Sequence, residues 1–215
     1  MASKEAIQEL LKGSPYAASN QAQLEAYVEA EATGSAPYFM DANRSLLKLY
    51  QFFPQSANES KIATILFLAM TEFPSTDFLA MSYLVPDRTQ KADACAGIIK
   101  CAELLDSCKF EEFWAAFSEL KGESIVAGST AKLQAAIAES LALSHRTAKL
   151  STVLSATKMA SGDDLTKAGI SCIESVSGDV VTFVASADNT KRNRVFQEGV
   201  NFSALASMMA KVSAE

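Results

Sequence analysis

Few residues in this chain are equipped for chemistry, and their spacing works against each familiar catalytic arrangement. His145 is the only histidine and Ser144 stands directly before it, so a hydrolytic serine–histidine pair is the first possibility to weigh. Neighbouring side chains on a helix point about 100° apart, and no G-x-S-x-G elbow surrounds the serine. Ser144 therefore reads as a helix cap, and His145 as an ordinary helix-start residue. The four cysteines, Cys95, Cys101, Cys108 and Cys172, form no C-x-x-C pair, and with a single histidine they supply no ligand set at zinc spacing. The first three fall in one helical stretch, where reduced thiols fill gaps as small hydrophobes. Neither a G-x-x-x-x-G-K-[ST] loop nor a G-x-G-x-x-G turn is present to cradle phosphates. The acidic pairs Glu111-Glu112 and Asp163-Asp164 sit at helix starts, where negative charge complements the helix dipole. No residue is nominated as catalytic, metal-ligating or cofactor-binding, and no cofactor is expected.

One cluster has a nucleic-acid reading. Lys191, Arg192 and Arg194 place three cations within four positions of a polar loop, where they can touch RNA phosphates. The rest of the chain argues against a large electrostatic footprint. Residues 1–128 carry 10 Lys and Arg against 17 Asp and Glu, and residues 129–215 carry 9 against 8, so no region has an evident basic excess. Any RNA contact is expected to be local and weak.

The elements that carry these residues are mostly helical. Only 9 Gly and 5 Pro interrupt a chain rich in Ala, Leu, Glu and Lys. Apolar periodicity predicts helices at about 4–12, 21–32, 39–52, 60–72, 76–84, 91–106 and 110–120. The last is the clearest: Phe110, Phe113, Trp114, Phe117 and Leu120 recur at three- and four-residue spacing, a stripe that reads as helix core. Breaks fall at Gly13-Ser14-Pro15, Gly34 to Pro37, Pro54, Pro74 to Asp77 and Pro86, and helices joined by such short turns stack side by side.

Beyond a loop-like stretch from Lys121 to Ser129 the pattern changes. Helices are expected at 130–143, 146–155 and 162–174, the third opened by Ser161 with Asp164 placed as in a capping box. Val180 to Val184 is the strongly β-branched run, and Arg194-Val195-Phe196 is the second strand expected to pair with it. Three helices followed by a hairpin give the order of a winged helix, with the basic loop as its wing. A last helix at about 201–212 is amphipathic, and Phe202, Leu205, Met208 and Met209 are its candidate partner-binding residues. The fold class is thus mainly α: stacked helical repeats over 1–125, a winged-helix domain over 126–200 and a C-terminal helix over 201–215.

The N-terminus lacks the apolar run of a signal peptide, and no stretch reaches the roughly 18 apolar residues that span a bilayer. A cytoplasmic protein without membrane contact is expected.

Read as strings, several segments resemble a known family. Leu10-Leu11-Lys12-Gly13, Leu24-x-x-Tyr27-Val28-Glu29 and Leu47-Lys48-Leu49-Tyr50-Gln51-Phe52 with Pro54 are similar to the N-terminal half of the subunit k family of eukaryotic translation initiation factor 3. Pro74-x-Thr76-Asp77-Phe78 and Leu104-Leu105-x-x-Cys108-x-Phe110-x-x-Phe113-Trp114 carry the same resemblance. It covers residues 10–120 in sequence and the remainder in order of elements, though 162–185 lacks the tryptophans expected near the family's third helix. The family is of PCI type, so the resemblance implies a non-catalytic scaffold. Its implied partners are other initiation factor 3 subunits, chiefly subunit l, and through the complex the small ribosomal subunit. The same architecture serves small PCI subunits of the proteasome lid and the COP9 signalosome, and a winged-helix nucleic-acid-binding regulator is the alternative of another class. Such a regulator needs a basic third helix. Here Asp163, Asp164 and Glu174 face only Lys167.

Overall fold

The computed structural model describes residues 3–190 and 202–212, except for the side chains of residues 203, 204, 207, 208 and 212. Its helices are α1 (Lys4–Gly13), α2 (Gln21–Ala32), α3 (Met40–Phe52), α4 (Glu59–Thr71), α5 (Asp77–Ser82), α6 (Asp87–Gln90), α7 (Asp93–Asp106), α8 (Phe110–Glu119), α9 (Gly122–Ile125), α10 (Ser129–Ser144), α11 (Leu150–Thr157), α12 (Gly162–Lys167) and α13 (Phe202–Val212). Strands β1 (Thr147–Lys149), β2 (Ile173–Ser177) and β3 (Val180–Phe183) form one small antiparallel sheet in the order β1-β3-β2.

The first eight helices form because their apolar residues need one another. Helix α4 is the hub: Ile62, Ile65, Leu66, Phe67, Leu68, Ala69 and Met70 are all buried, as expected of a helix that is apolar on every side. Its start is fixed by Asn58, whose side chain accepts from the Ser60 and Lys61 amides. Around it α2, α5 and α7 pack directly, α3 lies against α2, and α8 lies against α7. Leu24, Val28, Leu46, Leu49, Cys95, Ile98, Phe113 and Phe117 complete a single core. The predicted helices of this half coincide with the observed ones to within two residues at almost every end, and the aromatic stripe of α8 is core.

A second, smaller core gathers Ala138 and Ala142 of α10, Val153 of α11, Leu165 of α12, Ile170, and Val181 and Phe183 of β3. From α10 onward the order is helix, strand, helix, helix, strand, strand, which is that of a winged helix, so the mainly α fold with a winged-helix half is observed.

Three expectations in this half are corrected. The helix predicted over 146–155 begins at Leu150, because 147–149 pairs with β3 as an edge strand, Thr147 opposite Thr182 and Lys149 opposite Val180. The helix predicted over 162–174 stops at Lys167. Gly169 takes φ +63°, and Ile173–Ser177 turns into strand β2. Strand β3 pairs with β2 upstream instead of with a strand at 194–196, across the two-residue turn Gly178-Asp179. Gly178 has φ +59°, the positive value that a type II′ hairpin requires at its first turn residue. The wing is therefore that turn, and Lys191 to Arg194 lie downstream of it, outside the described residues.

The chain after β3 is folded back on α10 instead of forming a wing. Asn189 donates its amide to the carbonyls of Ala142 (2.9 Å) and Val184 (2.8 Å) and accepts from the Ser186 N–H (2.8 Å). The capping role read for Ser161 holds, since its hydroxyl accepts from the Asp164 amide at 3.2 Å.

The two cores meet at Trp114. Its indole N–H donates to the Ala156 carbonyl of α11 at 2.8 Å, inside a buried contact. Replacing Trp114 with Phe keeps an aromatic ring and removes that donor, leaving a buried carbonyl unpaired. We expect a loss of about 2 kcal/mol, seen as a melting temperature about 4–8 °C lower in a chain of this size.

Candidate partner-binding surfaces

Most of the chemistry-bearing residues are occupied with structure. Ser144 ends α10 and His145 is its C-cap, so neither starts a helix as their sequence reading proposed. The Ser144 oxygen does reach the His145 Nδ1, at 2.8 Å, because the backbone leaves the helix between them and the separation of about 100° along a continuous helix does not hold there. The same hydroxyl lies within hydrogen-bonding distance of the Ser140 and Leu141 carbonyls, and no carboxylate is bonded to the imidazole among the described residues. The geometry lacks the third group that orients a catalytic base.

Cys95 and Cys101 are buried, and burial pushes both thiols up, Cys101 to about 11, which suits inert small hydrophobes. Cys108 departs from that reading: it is exposed, in a left-handed turn at φ +56° after α7. Among the described residues no three His, Cys, Asp or Glu side chains converge as a metal site. Among the described residues no helix is long and apolar enough to cross a membrane.

What remains is surface, and the elements that present it are held firmly. At the joint between the cores, Lys158 donates to the Ser118 hydroxyl at 2.8 Å and places its ammonium 5.9 Å from the Trp114 ring centre. Ser155 of α11 bonds the Glu111 carboxylate of α8, so one half of an acidic pair is spent on this joint. Gly122 is required just beyond it, since a Cβ there would meet the Phe117 ring at 2.3 Å.

Glu123 then starts α10 without being its N-cap residue. Its carboxylate accepts from the Gly128 N–H (2.7 Å), the Thr130 N–H (3.0 Å) and the Thr130 hydroxyl (2.6 Å). Those bonds, led by the Thr130 hydroxyl, hold its carboxyl below the usual range. Sequence reasoning missed this residue because the cap lies five to seven positions upstream, outside the S/T-x-x-E window.

Of the nominated partner-binding residues, Phe202, Leu205 and Met209 are on α13 with 81%, 43% and 65% of their surface exposed. They lie three and four residues apart and share one helix face. Met208 is on the same helix, and its side chain lies outside the described residues, as do Lys191, Arg192 and Arg194 entirely. On the winged-helix half, Leu143, Val180 and Val184 are further exposed apolar side chains. The Ala142 and Val184 carbonyls share the Asn189 amide, which ties the end of α10 to the chain leaving β3.

Comparison with known proteins adds to this picture. Residues 56–195 match the model of the CSN8/PSMD8/EIF3K family. The chain is similar to proteins named eukaryotic translation initiation factor 3 subunit K. Those of Homo sapiens and Mus musculus are each 38% identical over 114 residues, covering 53% of this chain and 52% of theirs. That of Dictyostelium discoideum is 42% identical over 77 residues, covering 36% of this chain and 31% of its own. The chain thus spans about half the length of the curated relatives it matches.

Removing the Glu123 carboxylate tests how α10 is anchored. Glu123→Ala should cost about 1–2 kcal/mol at pH 7. Because the folded-state pKa is lowered, this contribution is present above the ordinary carboxylate pKa and fades as pH falls through the folded value. Denaturant unfolding of the variant and the parent should therefore converge in acid and separate at neutral pH.

Proposed function

Because the chain belongs to the CSN8/PSMD8/EIF3K family, we propose that it is a non-catalytic scaffold subunit of eukaryotic translation initiation factor 3. The observation that carries this reading is the 38% identity to the human subunit K over 114 residues. In this reading the chain works in the cytoplasm, supports assembly of the complex and its binding to the small ribosomal subunit, and pairs chiefly with subunit l. The stacked helices of the first half supply a stiff body, the winged-helix half supplies a partner-facing module, and helix α13 supplies an apolar anchor.

The physical support is the contrast between a dense interior and the exposed apolar residues of α13. Large residues such as Phe67, Phe113 and Phe183 are fully buried, while Phe202 and Leu205 of α13 stand in solvent. An exposed apolar face at helical spacing is what a partner helix buries on assembly. The net charge of −6 and the acidic first half leave RNA a minor role, confined to Lys191, Arg192 and Arg194.

Replacing Phe202 and Leu205 together with Asp should change the stability of the lone chain by less than about 1 kcal/mol. The same variant should fail to co-purify with subunit l. A large fall in the melting temperature of the isolated variant would show instead that this face closes the chain's own fold. Replacing Lys191, Arg192 and Arg194 with Glu should lower the weak RNA binding and flatten its salt dependence. Tight RNA binding that survives the change would contradict the minor role given to RNA.

A further inference from the structure

Glu31, in the last turn of α2, is the one buried carboxyl among the described residues. Only 4% of its surface is exposed, in a helix whose other glutamates include the largely exposed Glu29. One carboxylate oxygen accepts from the Phe39 N–H at 2.6 Å, and the other from the Asn43 amide at 2.8 Å. Phe39 is the N-cap position of α3, and no side chain within that helix caps it. Glu31 therefore takes the capping role from the preceding helix and ties the end of α2 to the start of α3.

A cavity of about 130 Å³ adjoins this carboxyl, lined among others by Tyr38, Glu72, Val126, Ala127 and Lys132. The loop before α10 closes one side of it, and the Ala127 N–H donates to the Ala32 carbonyl at 3.1 Å. The end of α2, the start of α3 and the loop leading into the winged-helix half are thus held together around one sealed acid.

We propose that Glu31 is a pH-sensitive latch: neutral, it keeps the 33–39 turn and the 126–128 loop closed, and ionised, it favours their local opening to water. Opening exposes the carboxyl, and water solvates the anion better than the site does. Burial is the leading cause of this preference, and it pushes the Glu31 carboxyl up to about 7. The Asn43 amide and the Phe39 N–H act in the opposite direction. Of the charged groups on neighbouring elements, Glu72 beyond α4 adds to the upward push and Lys132 of α10 opposes it, while those two are themselves paired. Tyr38 in the turn donates to Asp77 of α5, and Tyr27 on α2 donates to the Pro37 carbonyl; burial raises both phenols, so neither titrates near neutrality.

Asn43 fits both states of the latch. Its Nδ2 serves the carboxylate while its buried Oδ1 has no partner. Turning the amide over brings that oxygen to the carboxyl, where it accepts the O–H of the neutral acid.

Linkage fixes the size of the effect. The closed state holds its proton up to about pH 7, and the open state releases it near the ordinary carboxylate value, so opening becomes about tenfold more favourable from pH 6 to pH 8. Hydrogen exchange of the full chain, corrected for the intrinsic pH dependence of exchange, reads this directly. Amides in 33–39 and 126–128 should lose about tenfold in protection over that interval, while those in the centre of α4 should not. In Glu31→Gln, whose amide can bond a turned-over Asn43, the protection ratio should be near one. Equal pH dependence in the two proteins would overturn the proposal. Carbon NMR titration of the Glu31 carboxyl in the unaltered chain needs no variant; a midpoint near 7 supports the latch, and one below 5 removes it.

Discussion

Helix α10 has to satisfy two cores at once, and most of the molecule depends on how it does so. Leu133 and Ile137 reach into the large helical core, while Ala138 and Ala142 enter the small core of the winged helix. A helix with one apolar stripe could serve only one of them. Small residues on the second face let the sheet and α11 approach closely, and the Trp114 indole supplies the directional bond that non-directional packing lacks. Glu123 fixes where α10 begins, and Lys158 on Trp114 closes the solvent side of the joint. Any surface on the winged-helix half inherits its position from these few contacts.

That arrangement suits a protein that acts by presenting surfaces. Several residues able to react are held elsewhere: Ser144 by the carbonyls of its own helix, Cys95 and Cys101 within the core, and Glu111 at the joint, while Cys108 is exposed. Among the described residues, exposed large apolar side chains lie on both halves: Tyr16, Phe52, Leu79 and Tyr83 in the first, and Leu143, Val180, Val184 and those of α13 in the second. Membership of the CSN8/PSMD8/EIF3K family agrees with a mainly helical chain that carries a winged helix.

Much of the fold was legible because its helices are bounded by local chemistry. Pro15, Gly34, Pro54, Pro74 and Pro86 stop helices wherever they occur, and the α8 stripe has a single sensible burial. The small sheet was misread for equally local reasons. Thr147-Ala148-Lys149 has no β-branched run, so only its partner β3 reveals it as a strand. In Ile173 to Ser177 the apolar Ile173 and Val176 lie three apart because the strand is irregular between Ile173 and Ser175, so the spacing reads as a continuation of the capped helix before it. The Gly178-Asp179 pair was the missed hairpin signal. Nothing in Ala30-Glu31-Ala32 distinguishes Glu31 from an exposed helical glutamate, because its burial comes from α3 and the 126–128 loop, both distant in sequence. The α13 face was readable from spacing alone, but exposure is a tertiary property that spacing does not contain.

If this chain is, as proposed, a structural subunit of initiation factor 3, the company it keeps in its own cells decides the matter. The 215-residue chain, tagged and purified under mild conditions, should bring down the initiation factor 3 subunits in fixed proportion, with subunit l retained longest as salt is raised. Recovery of proteasome-lid or signalosome subunits in their place, or of the chain without initiation factor 3, would contradict the account.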